Sequence, residues 1–144
     1  MIRKYEPIKE IQTSKLLKTV SLISKQPACN AVSFNGTLEQ YFEESFAKLQ
    51  AYKQDILDCL PDCLRKPNQE IQILITQGSI DSHRDSHNKR FILIPIRCCK
   101  NTILWEDDKE VILEEKKIYT FNDHNYHGLI SQYWNAKTIL IGIS

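Results

Sequence analysis

Between Ser79 and His87 the chain reads SIDSHRDSH, which packs two histidines, two aspartates and an arginine into nine residues. His83 and Asp85 stand one residue apart, and in an extended segment residues two apart face the same side. Both can therefore reach one ion. The four histidines form two clusters, His83 with His87 and His124 with His127. A third ligand from the second cluster completes two imidazoles and one carboxylate. That is the facial set of non-haem iron(II) sites, which leaves three coordination positions open for cosubstrate and O2. A zinc site built from His83, His87 and either His124 or His127 competes with it. So does a plain polar turn, because connections between strands favour Ser, Asp and Asn.

Whether the clusters can meet depends on the elements around them. After Pro67 the texture is that of strands: EIQILITQ (70–77), RFILIPIR (90–97), NTILWE (101–106), EVILEE (110–115), KIYTFN (117–122), GLISQYW (128–134) and KTILIGIS (137–144). They are short, β-branched and closely spaced, with turn-like pieces between them, which implies an antiparallel sandwich or small barrel of the jelly-roll kind. In such a fold strands distant in sequence lie side by side, so the two histidine clusters can converge at one mouth. EDDKE, from Glu106 to Glu110, reads as a solvated hairpin turn.

The N-terminal part reads as helical support. Thr37 followed by Gln40 matches a capping box, in which hydroxyl and amide cover orphan N–H groups. Leu38, Phe42, Phe46, Leu49, Ile56 and Leu60 then recur mostly every three or four residues, and Pro61 stops the run. Upstream, Ile8, Ile11, Leu16 and Val20 sit near helical spacing, while TVSLIS also suits a strand. Helices first and strands after make an α+β chain, mainly β, with no alternating βαβ pattern. One domain is expected over 1–144, with 1–66 as helical support and 67–144 as the β core.

Composition narrows the function classes. At 144 residues, 42% hydrophobic and 26% charged, the chain has the balance of an ordinary soluble globular protein. Its net charge of +1 supplies no global field for nucleic acid or an anionic membrane. The start lacks an apolar signal region, and FILIPI is too short to span a bilayer, so a cytoplasmic protein is expected. The five cysteines are odd in number and lack the two Cys-x-x-Cys pairs of a four-cysteine zinc site; Cys59, Cys63, Cys98 and Cys99 read as reduced thiols.

Two segments carry a family resemblance. ILITQGSIDSHRDSHNKRFILIPI resembles the part of aspartyl/asparaginyl (and prolyl) β-hydroxylase-like 2-oxoglutarate/Fe(II) dioxygenases in which a strand leads through Pro-Gly to His-x-Asp and then to an arginine-containing strand. YTFNDHNYHGLISQYWNAKTILIGIS is similar to their closing segment, Phe-Asp-Asn followed by His and Arg. The resemblance spans roughly residues 70–144. Gln77 stands where the family has Pro, Phe121-Asn122-Asp123 where it has Phe-Asp-Asn, Leu93 where many relatives have His, and Lys137 where it has Arg.

What the resemblance implies is specific. The core is a double-stranded β-helix, cupin-like. His83, Asp85 and His127 hold Fe(II) and are the catalytic centre. Lys137 binds the far carboxylate of 2-oxoglutarate, while Arg90, which opens the strand after His-x-Asp, is on its own position a candidate for a carboxylate of substrate or cosubstrate. The reaction consumes O2, releases succinate and CO2, and hydroxylates an unactivated C–H of an amino acid, peptide or protein side chain. Apart from the resemblance, the aromatic side chains of Trp105, Tyr126 and Trp134 are candidates for lining the substrate mouth or for the core of a small barrel. Two alternatives stay open: a non-catalytic jelly-roll module that binds a metal or small ligand, and a nucleic-acid-modifying dioxygenase, which the near-neutral charge disfavours.

Overall fold

The computed structural model describes residues 1–23, 34–38, 46–85, 90–133 and 136–144. In chain order they form β1 (Arg3–Tyr5), α1 (Ser14–Ile23), β2 (Phe34–Thr37), α2 (Phe46–Leu57), a 3-10 turn (Asp62–Leu64), β3 (Ile71–Gln77), β4 (Ile80–His83), β5 (Arg90–Arg97), β6 (Ile103–Glu106), β7 (Lys109–Ile112), β8 (Ile118–Asn122), β9 (His127–Ile130) and β10 (Lys137–Ile143). The strands make two antiparallel sheets. The larger has the order β1-β8-β5-β10-β3-β2, and the smaller β4-β9-β6-β7.

Alternation within the strands divides the apolar residues into two cores. On one face of the larger sheet lie Ile71, Ile73 and Ile75 of β3, Ile92, Ile94 and Ile96 of β5, and Ile139, Ile141 and Ile143 of β10. They pack on Leu16, Leu49, Ile56 and Leu60 from the helical segment. Each buried isoleucine stabilises the fold by roughly 1.5–3 kcal/mol relative to exposure. The opposite face of the sheet meets the smaller one, and there Leu93, Leu104, Tyr119, Phe121, Leu129 and Leu140 form the inter-sheet core. Residues two apart share a face, so β3, β5, β8 and β10 each contribute to both cores. This is the mainly β jelly-roll architecture expected from the strand spacing.

Several expectations change in detail. The segment 1–66 is more than helical support, because β1 pairs with β8 and β2 pairs with β3, supplying both edges of the larger sheet. TVSLI goes to helix: α1 covers Ser14–Ile23, with Leu16 buried and Ile11 buried just ahead of it. Thr37 closes β2 opposite Gln72, while Gln40 and Phe42 lie outside the described residues. The polar stretch after Gly78 was read as a turn, yet Ile80–His83 is a strand. Gly78 has φ 63°, the left-handed conformation that favours glycine, and there the chain crosses from one sheet to the other. The hairpin turn within EDDKE falls at Asp107 and Asp108 as expected, but Glu106 is only 2% exposed. Cys59, Cys63, Cys98 and Cys99 are free thiols. Among the described residues no helix is long and apolar enough to cross a membrane.

Candidate metal centre

Strand register brings the two histidine clusters together. β4 and β9 are antiparallel neighbours, and His83 lies directly opposite His127. Asp85 follows β4 and is tied down by its amide, which donates to the Asp123 carbonyl at 2.8 Å. Ligand atoms of His83, Asp85 and His127 all lie within 4.8 Å of one another. His127 is 6% exposed at its side chain, against 41% for His83 and 44% for Asp85, so the group opens outward on one side.

The ring nitrogens are sorted for metal binding. Nδ1 of His83 donates to the Asp81 carbonyl at 2.8 Å, and Nδ1 of His127 donates to the Asn125 carbonyl at 2.8 Å. A proton fixed on Nδ1 leaves the Nε2 lone pair free. Both Nε2 atoms face the aspartate: His127 Nε2 is 3.4 Å from Asp85 Oδ2, and His83 Nε2 is 4.0 Å from Asp85 Oδ1. Two neutral nitrogens and one carboxylate oxygen aimed at a common point suit a divalent first-row metal. The donor set therefore fits the metal that the sequence implies.

Support for His127 comes from Glu106, a residue that the sequence reading placed in solvent. Its Oε2 accepts from the Asn122 amide at 2.8 Å and from Asn125 Nδ2 at 3.2 Å. Asn125 supplies the carbonyl that orients His127, so Glu106 anchors the turn carrying that histidine. Burial by itself would raise the Glu106 carboxyl, but hydrogen bonds from the Met1 amino group, the Asn122 amide and Asn125 hold it below the usual carboxylate range.

His83, Asp85 and His127 line a cavity of about 520 Å3 between the sheets. Leu74, Phe91, Leu93, Leu104, Phe121, Leu129 and Leu140 give it apolar walls. Its polar lining is Gln72, Thr76 and Asp123 beside the ligands. Among the described lining residues there is no lysine or arginine. Thr76 and Asp123 escaped the sequence reading. The shared-face rule for β3 could have found Thr76, and the position of Asp123 beside the Phe121-Asn122 pair was a usable sign.

No family profile and no curated protein sequence matches the chain. Solved structures do. A viral collagen prolyl hydroxylase from Paramecium bursaria Chlorella virus-1 aligns over 99% of this chain and 87% of its own, with TM-score 0.55 at 9% identity. AviO1 from Streptomyces viridochromogenes Tue57 aligns over the same shares with TM-score 0.54 at 11% identity. A cupin superfamily protein from Desulfitobacterium hafniense DCB-2 aligns over 94% of both chains with TM-score 0.48 at 11% identity. The fold is a double-stranded β-helix. At these identities the likeness is one of fold alone.

The remaining candidates are placed elsewhere. Lys137 shares the parity of Ile139, Ile141 and Ile143, which puts it on the helix-facing side of β10, and it does not line the cavity. Arg90 shares the parity of Ile92 and Ile94, and its guanidinium donates to the Tyr5 hydroxyl at 2.6 Å. Trp105 faces outward from the smaller sheet, packed over Gly128, where an added Cβ would come within 2.9 Å of the indole nitrogen. The reason is the same for all three: one step in strand parity sends a side chain to the opposite face. Tyr126 is exposed near the centre, with the Arg84 guanidinium 4.8 Å from its ring centroid. His124 is exposed and outside the ligand group. His87 and Trp134 lie outside the described residues.

Proposed function

We propose that this chain is an Fe(II)- and 2-oxoglutarate-dependent oxygenase that hydroxylates an unactivated C–H of an amino acid, peptide or protein side chain and releases succinate and CO2. The observation that carries this reading is the convergence of His83, Asp85 and His127 on the wall of a largely apolar cavity, with Nδ1 of both imidazoles bonded to a backbone carbonyl. The fold likeness to a prolyl hydroxylase supports it. His83, Asp85 and His127 hold the metal, and Glu106 and Asn125 keep His127 in register. Phe91, Phe121 and Leu129 exclude bulk water from the far side. A bound iron(II) would supply the oxygen-activating chemistry that no side chain here can perform.

One observation favours a second reading. Lys137 and Arg90 point away from the cavity, so the cation expected to hold 2-oxoglutarate is missing from its described lining. A jelly-roll module that binds a metal and a small ligand without turnover fits that lining equally well. Succinate formation separates the two. Protein loaded with Fe(II) under air, given 2-oxoglutarate and a library of amino acids and short peptides, releases succinate in the first reading, and Asp85→Ala abolishes it. Tight metal binding with no succinate above the Asp85→Ala background favours the module.

A further inference from the structure

Outside the barrel, two arginines stand on either side of one strand. β8 lies between β1 and β5 in the larger sheet. Its Thr120 is opposite Arg3 of β1 on one side and Ile92 of β5 on the other, and its Asn122 is opposite Arg90 of β5. Ile92 and Ile118 belong to the core beneath the helices. Residues two apart share a face, so Arg3, Arg90, Thr120 and Asn122 lie on that same face, opposite the metal cavity. Together with Met1 and Phe121 they line a pocket of about 340 Å3.

Charge in this pocket is unbalanced. Both arginines are exposed, and neither forms an ion pair among the described residues. Arg90 donates to the Tyr5 hydroxyl at 2.6 Å, which carries its guanidinium across β8 toward the strand that holds Arg3. Thr120 between them is 1% exposed, and its hydroxyl has no hydrogen-bond partner among the described residues. The pocket lining holds no carboxylate. Glu106, the buried carboxylate beside it, is already shared among the Met1 amino group, the Asn122 amide and Asn125. Like charges gathered on one sheet face destabilise it unless an anion joins them, and a buried hydroxyl without a partner adds to that cost.

We infer that this pocket binds the phosphoryl group of a small phosphate monoester. A phosphate dianion balances both guanidiniums, whereas a carboxylate balances one. Its oxygens accept from two planar forks and from the Thr120 hydroxyl at once. A volume of about 340 Å3 is at the small end of ligand pockets and leaves room for a short ester body. The site is separate from His83, Asp85 and His127, and it stands whichever reading of the metal centre holds.

The test is calorimetric titration of metal-free protein at low ionic strength with inorganic phosphate, glycerol phosphate and acetate. Leaving the metal out prevents phosphate from binding as its ligand. Both phosphates bind with Kd below about 1 mM, glycerol phosphate the more tightly, and acetate binds at least about tenfold more weakly. Arg3→Ala and Arg90→Ala each raise the Kd for both phosphates at least about tenfold. Arg90→Lys recovers part of the loss, because an ammonium lacks the planar fork. Lys100→Ala removes one charge beyond the other end of β5 and changes the Kd by less than about twofold. Glycerol phosphate raises the melting temperature of wild type but not that of the Arg3→Ala/Arg90→Ala double variant, and melting without ligand shows that both are folded. No phosphate binding by folded wild type up to about 10 mM, equal affinity for acetate, or a Lys100→Ala loss equal to that of Arg3→Ala overturns the site. Inorganic phosphate binding more tightly than glycerol phosphate overturns the monoester.

Discussion

Asp85 faces two imidazoles at once, and the division of labour within each ring carries the chemistry of the site. Nδ1 is committed to a backbone carbonyl two residues upstream in both His83 and His127, so neither ring must change tautomer to accept a metal. Single alanine variants of His83, Asp85 or His127 should each weaken Fe(II) or Co(II) binding by more than about 100-fold. His124→Ala should leave it unchanged; calorimetric metal titration reads both outcomes. A loss in His124→Ala with retention in His127→Ala would reverse the assignment. The convergence of His83 with Asp85 was legible because His-x-Asp carries its own geometry in an extended segment. Glu106 was not, because nothing local in the sequence reports that the side chain of a residue beside a hairpin turn is buried. Lys137 and Trp105 stand off the cavity lining for a related reason: one step of parity along a correctly identified strand carries a side chain to the opposite face.

Between residue and fold stands the turn from Asn122 to Tyr126, which Glu106 holds from the neighbouring strand. Glu106→Gln keeps the shape but removes the charge, and should cost about 2–3 kcal/mol of stability by weakening charge-assisted bonds to a buried group. It should also weaken metal binding about tenfold by loosening Asn125 and with it His127. The folded-state pKa of Glu106 is lowered relative to the unfolded chain. Its contribution is therefore complete above the unfolded carboxylate range, and is lost as pH falls through the lowered folded value. Melting temperature between pH 5 and pH 3 should fall more steeply for wild type than for Glu106→Gln. A parallel decline would place the acid sensitivity elsewhere. β4 and β9 give a further test. A Cβ at Gly128 would meet the Ile80 carbonyl at 2.8 Å as well as the Trp105 ring, so Gly128→Ala should push the strands apart and lower both melting temperature and metal affinity. β4 itself was invisible in the sequence, since SIDSH has turn composition and becomes a strand only through pairing with β9.

For the molecule as a whole, the two sheets differ in what stands behind them. The larger is backed by α1 and α2 along its isoleucine face, and its β3–β10 pairing runs unbroken from Lys137↔Gln77 to Ile143↔Ile71. Helices ahead of a β core were readable from the helical period and the strand spacing; which sheet the helices back was not readable. Nor was the contribution of β1 and β2, because both are short and gain stability only by pairing at sheet edges. The smaller sheet carries two of the three candidate ligands, His83 and His127. Saturating metal at about 100 times its Kd should stabilise the native state by roughly 2.7 kcal/mol, and a chelator should remove that gain; melting with and without chelator measures it.

β4 is an edge strand with only two register pairs to its neighbour, Ile80↔Leu129 and His83↔His127. Its amides should exchange with solvent through local opening, well before the global unfolding that exposes β10. One of those two pairs is also the histidine pair of the metal site. A bound ion would then act as a clasp on the least protected strand of the sandwich, and amide exchange should slow in β4 and β9 on metal addition while β3 and β10 barely change. Uniform slowing across both sheets would mean that the strand opens only when everything else does.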